Sequence, residues 1–108
     1  MEDRASADEQ LPFVSFDMGK AGMTTGFSNL FDSPGEAAVA GVELLQMHSS
    51  GDFGALEDCD RQANLVALHS SPPGRLLSRY LIGEKKTPVY VITEHDRSST
   101  LVLLSSEY

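Results

Sequence analysis

Residues 87–104 read TPVYVITEHDRSSTLVLL, an apolar run, a short polar segment and a second apolar run. Val89, Tyr90, Val91, Ile92 and Thr93 are β-formers, as are Thr100 and Val102. Branched and aromatic side chains pack well on a pleated surface, and β-branching restricts rotamers in a helix. With Glu94–Ser99 as the loop, the two strands pair antiparallel, since a parallel return would need a crossover of roughly a dozen residues or more. The period of two puts Val89, Val91 and Thr93 on one face and Tyr90, Ile92 and Glu94 on the other. The returning strand divides into Leu101 and Leu103 against Val102 and Leu104. Both faces are largely apolar, so the hairpin is expected in the middle of a sheet.

Upstream, Leu76, Leu77, Tyr80, Leu81 and Ile82 fit either a strand or a short helix; a strand over 75–82 is preferred, because Gly83-Glu84-Lys85-Lys86 resembles a hairpin link into Val89. The three strands then form an antiparallel meander. HSSPPG at 69–74 is a hard break, because two prolines remove donors and fix the backbone. Before it, a helix is expected over 58–68, with Glu57, Asp58 and Asp60 at its positive end and Cys59, Ala63, Val66 and Ala67 inward. Asp52-Phe53-Gly54 is a tight linker with Phe53 tucked inside.

Ser33-Pro34-Gly35-Glu36 is the clearest helix start in the chain, with a serine cap, a proline whose missing N–H is harmless, and a capping box closed by Glu36. That helix is expected over 34–48. Ala37, Ala40, Gly41, Leu44 and His48 share one face, widened by Ala38, Val42 and Leu45, and Gly51 takes a left-handed turn after Ser49 and Ser50. Phe27, Leu30 and Phe31 suggest one anchoring helical turn. Asp17–Gly26 reads as turns, and its glycines lack the spacing of a phosphate loop. Leu11, Phe13, Val14 and Phe16 suggest a first strand on an edge, with Pro12 at its start. Residues 1–10 read as a flexible acidic tail. The expectation is a single α+β domain over 11–108, with two helices packed against a small antiparallel sheet of three or four strands.

The chain has 108 residues, 41% hydrophobic and 22% charged, which is ordinary for one globular domain. One cysteine, Cys59, rules out an intrachain disulfide framework and fits a reducing cytosol. The acidic start and the lack of any apolar run of about 18 residues argue against a secretory signal or a membrane span, so a cytoplasmic protein is expected. Sixteen acids against eight bases leave a net charge of -8. Such a surface repels phosphate backbones, and no direct nucleic-acid binding is expected. One reading of the charge is solubility alone; the other is an acidic face that occupies a basic groove on a partner protein. The acids that would make that contact are Asp52, Glu57, Asp58, Asp60 and Asp96.

The remaining polar residues admit two readings. His48 either benefits from the negative end of its helix or joins a catalytic group. In the catalytic reading His48 or His95 is the base, Glu94 its partner, Arg97 and Arg79 hold an anionic group, and Tyr80 lies nearby. That set would suit a small metal-independent ribonuclease. In the other reading Arg97 only bridges carboxylates at a hairpin tip. The histidines at 48, 69 and 95 lack short ligand spacing, so neither metal nor cofactor is expected.

Several segments form a wider constellation: HSSGDFG at 48–54, Asn64 with Ala67-Leu68, RLLSRY at 75–80, VYVITEHDRSST at 89–100 followed by LVLL, and Glu107-Tyr108. It resembles a family of small bacterial proteins carried on plasmids and phages, marked by motifs like GDWG and ITExDRS. The resemblance runs from about Phe16 to the end and includes the Thr25-Gly26 turn. Family members carry tryptophan where this chain has Phe53 and Tyr90, and a proline before a final Glu-Glu-Tyr where it has Ser105, Ser106, Glu107 and Tyr108. The resemblance implies a bacterial mobile element and supplies no catalytic residue. Together with the charge, it leads to the expectation of a small acidic protein that inhibits a host protein with a basic surface, such as a nucleic-acid-handling defence factor.

Overall fold

In a computed structural model of the chain, residues 11–108 are described, and the tail expected at 1–10 lies outside them. The elements in order are β1 (Lys20–Met23), α1 (Thr25–Ser28), α2 (Pro34–Ser49), α3 (Asp58–His69), β2 (Leu76–Ile82), β3 (Thr87–Thr93) and β4 (Ser99–Leu104), closed by a 3-10 turn at Ser105–Glu107. The fold is α+β. The strands lie in the order β1-β4-β3-β2, so the 87–104 hairpin fills the two central positions as its two apolar faces require. Val91 stands opposite Ser78 on one side and Val102 on the other.

The sheet is mixed, because β1 runs parallel to β4, with Lys20 opposite Ser99 and Met23 opposite Val102. This corrects the reading of residues 11–26. No strand forms at Leu11–Phe16, and the segment read as turns contains β1. Phe13 and Phe16 instead turn their rings edge-on to Phe53 and His48. Lys20–Met23 has no β-branched side chain, so its strand is templated by the free edge of β4. Lys20 N–H donates to the Ser98 carbonyl at 3.0 Å and Thr24 N–H to that of Val102 at 2.9 Å.

Helix α2 starts where the cap places it, with Ser33 Oγ accepting from Glu36 N–H at 3.1 Å. The capping box closes one residue early: Glu36 Oε1 accepts from Asp32 N–H at 3.3 Å. Ala37, Gly41, Leu44 and His48 are buried, whereas Ala38 and Val42 are exposed, so the inward stripe is narrower than predicted. Gly41 matters by its size, since a Cβ there would run into the terminal methyl of Met23. The core joins Phe27, Leu44, Tyr80, Val89, Val91 and Val102.

The inward face of α3 also differs from the expectation. Cys59, Ala63 and Val66 are exposed, and Asn64, Leu65 and Ala67 are buried. The physical reason is the outer edge of β2, which carries backbone groups that need partners. Asn64 Oδ1 accepts from Leu77 N–H at 3.0 Å while its Nδ2 donates to the Leu77 carbonyl at 2.6 Å. Two residues on, Arg79 N–H donates to the Phe53 carbonyl and Ala55 N–H to the Arg79 carbonyl. Gly54 sits between these bonds at φ +75°, where a Cβ would overlap the Arg79 carbonyl. Helix α3 and the 53–55 linker thus close the edge of the sheet.

Candidate functional site

His48, in the last turn of α2, has no exposed surface. Its Nδ1 lies 2.6 Å from Ser78 Oγ on β2, and its Nε2 lies 2.9 Å from Thr93 Oγ1 on β3. Thr93 Oγ1 is 2.7 Å from Thr100 Oγ1 on β4, and Thr100 donates to the Met18 carbonyl at 2.8 Å. One proton per hydroxyl fixes the direction of this chain. The Met18 carbonyl only accepts, so Thr100 gives its proton there and accepts from Thr93. Thr93 in turn accepts from Nε2–H, which leaves the Nδ1 lone pair to accept from Ser78. The neutral Nε2–H tautomer satisfies every member. Burial lowers the His48 pKa to about 4, so the ring is neutral near pH 7. Both nitrogens are engaged and the ring is enclosed, which leaves no open lone pair for a substrate proton.

Of the other residues of the expected catalytic group, Tyr80 reaches Ser78, and Glu94, His95, Arg97 and Arg79 make no hydrogen bond to His48. Tyr80 is buried, donates to the Asp52 carbonyl, and has its pKa pushed up to about 12, chiefly by burial. Glu94 pairs with Arg75 at 3.1 Å, and Arg75 also donates to Tyr108 Oη at 2.8 Å. The Tyr108 ring stands edge-on to Tyr90. Arg97 takes a left-handed backbone, φ +62°, which costs a non-glycine residue about 1–2 kcal/mol. Its Nη1 lies within donating distance of the carbonyls of Gly74 (2.6 Å), Glu94 (3.1 Å) and His95 (3.3 Å), which fastens the loop to the 74–75 segment. The Phe16 ring lies 5.4 Å from the His48 ring and 5.9 Å from the Arg97 guanidinium carbon, an aromatic spacer touching both. His95 and Asp96 are exposed, and hydrogen bonds from Ser98 hold the Asp96 carboxyl below its usual range.

The acids assigned to protein binding are all exposed: Asp52, Glu57, Asp58, Asp60 and Asp96. Asp52 Oδ1 accepts from Gly54 N–H at 3.2 Å. Glu57 is the N-cap of α3 and makes no side-chain capping bond; Asp58 and Asp60 fill the first turn. Glu57 and Asp60 stand on the rim of a polar depression of about 350 Å³ whose lining includes Leu56, Arg79 and Tyr90. Asp96 belongs to the separate β3–β4 loop. Among the described residues no group of three His, Cys, Asp or Glu is placed to hold a metal ion, and no helix is long and apolar enough to cross a membrane.

The hydroxyl chain was missed by sequence reasoning, although part of its signal was present. Thr93 lies in phase with Val89 and Val91, so a hydroxyl on the apolar side of a strand needed a buried partner. Nothing local marks Ser78 or Thr100 as the other members. Comparison with protein-family models, curated proteins and solved structures found no match.

Proposed function

We propose that the chain is a small acidic protein of a bacterial mobile element that binds a host protein in the cytoplasm and blocks a basic surface that normally holds nucleic acid. The observation that carries this reading is the first turn of α3. Glu57, Asp58 and Asp60 are exposed there, and none is used as a side-chain cap. The helix behind them is pinned to β2 by Asn64, so the charges are displayed on a fixed support. Charge of this kind speeds encounter and selects partners more than it adds affinity. The ribonuclease reading has less support, because His48 and Tyr80 are enclosed and Arg97 turns its Nη1 toward backbone carbonyls.

The test is capture from bacterial lysate with the purified protein as bait, beside assays of RNA and DNA cleavage. The expected result is recovery of a nucleic-acid-handling protein that its own nucleic acid displaces. The double variant E57K/D58K should slow that association and flatten its salt dependence without altering the fold. Metal-free RNA cleavage abolished by His95→Ala, with no partner recovered, would overturn the proposal.

A further inference from the structure

Helix α2 buries one stripe and leaves another uncovered. Val39 is 62% exposed, Val42 50% and Met47 36%. Two shallow grooves follow one another along this outer side. One, of about 440 Å³, runs between Phe31, Val39 and Glu43; the other, of about 490 Å³, runs along Glu43, Gln46 and Met47. They share Glu43, and together they extend from Gly35 to Ser50, about 22 Å at 1.5 Å per residue. We infer that this outer face of α2 receives a basic amphipathic helix of the partner, about four turns long.

The inference rests on the protein-binding reading above and adds a second surface to it. Charge complementarity selects the occupant. Residues 34–49 contain no lysine or arginine, so the charged side chains beside the apolar stripe are Glu36 and Glu43, with Asp32 just before the helix. A second copy of this chain is a poor occupant, because a two-fold contact between α2 helices offers these carboxylates no lysine or arginine and brings like charges onto one seam. Residues 1–10 fit no better, with four acids against Arg4 and no large apolar side chain after Met1. A helix with apolar anchors at i, i+4 and i+7 and lysine or arginine on either side satisfies both features: its anchors enter beside Val39 and Met47, and its cations reach Glu36 and Glu43.

The probe is a pair of synthetic 18-residue helical peptides with one leucine stripe, flanked by lysines in one and glutamates in the other. Binding to the full chain is read by fluorescence anisotropy. The basic peptide should bind and the acidic one should not. V39S/V42S should weaken binding at least about tenfold and E43K should weaken it too, with an unchanged circular dichroism spectrum, while E57K/D58K changes it by less than about threefold. Equal loss in E57K/D58K would reduce the effect to general charge attraction and overturn the inference. So would a wild-type dimer in sedimentation that V39S/V42S dissolves, since the occupant would then be a second copy. The two proposals fail separately. A host protein captured equally well by wild type and V39S/V42S, but lost from E57K/D58K, removes this surface and leaves the function standing. Binding of the basic peptide through Val39 and Val42, with no nucleic-acid-displaceable partner in the lysate, does the reverse.

Discussion

Lowering the pH from about 7.5 to 5.5 should weaken the fold by about 1 kcal/mol through His48. In the unfolded chain this imidazole titrates near 6.5, and in the fold its pKa is lowered to about 4 by burial. The folded state therefore prefers the neutral ring. The stability that preference contributes is complete above pH 6.5 and falls as the pH drops toward 4, where the cumulative loss reaches about 3 kcal/mol. At pH 5.5 most carboxylates remain ionised, so the first part of the loss is read almost free of acid titration. The cause is desolvation: the ring has no exposed surface, so a second proton on Nδ1 would place a full charge in the core with only Ser78 Oγ, at 2.6 Å, to meet it. Urea unfolding of wild type and His48→Gln across this range gives the measurement, since glutamine does not titrate. The wild-type curve should fall relative to the variant, and the imidazole resonances should stay unprotonated until the pH approaches 4. Parallel curves from pH 7.5 to 5.5, or an imidazole titrating near 6.5, would refute the reasoning.

Ser78→Ala should cost about 1–3 kcal/mol by leaving Nδ1 without a donor, and Thr93→Val should cost more, because it strands both Nε2–H and the acceptor side of Thr100. Urea melts of the two variants check the order, and a cheaper Thr93→Val would contradict the pairing of Thr93 with both His48 and Thr100. Ile92→Ala should cost about 2–5 kcal/mol in the same assay, since Ile92 is buried on the sheet face turned away from Val91; a loss under about 1 kcal/mol would mean that this face is not packed. Gly54→Ala should destabilise both through its left-handed backbone and through overlap with the Arg79 carbonyl. Amide exchange should then quicken at Ala55 and Arg79, and unchanged protection there would contradict the edge closure.

The central hairpin was legible because its pattern is local. The run Val89–Thr93 has the composition and period of a strand, and no other part of the chain had to be known. The same holds for α2, where Ser33, Pro34 and Glu36 mark the start within four residues. Strand β1 was not legible, since Lys20–Met23 becomes extended only against the edge of β4, some eighty residues later. Helix α3 was placed correctly along the chain and rotated wrongly. A hydrophobic stripe directs Cys59 and Val66 inward, whereas the edge of β2 needs an amide more than it needs another apolar contact, and Asn64 supplies it. Of the polar residues, the acids assigned to binding lie exposed as their type suggests. His48 could not be assigned from spacing, because its partners come from two strands, β2 and β3, separated from it and from each other in sequence.

The two surfaces proposed for binding stand on helices that are positioned by directional bonds. Apolar side chains between a helix and a sheet tolerate small shifts at little cost, because dispersion and burial have no preferred direction. A hydrogen bond near 2.7 Å does not tolerate them, and a buried one broken without replacement costs about 1–3 kcal/mol. His48 ties the last turn of α2 to β2 and β3 at once, so α2 can neither slide along the sheet nor rotate without losing a bond. Asn64 does the same for α3, since its amide pairs with both backbone groups of Leu77. Leucine at either position would leave these partners unpaired. The polar choices hold Val39, Val42 and Glu43 on one helix, and Glu57, Asp58 and Asp60 on the other, in fixed places on the same sheet. A partner that must find both apolar anchors and acids needs that fixed spacing, because each mobile element of a binding surface must be ordered at a cost to affinity.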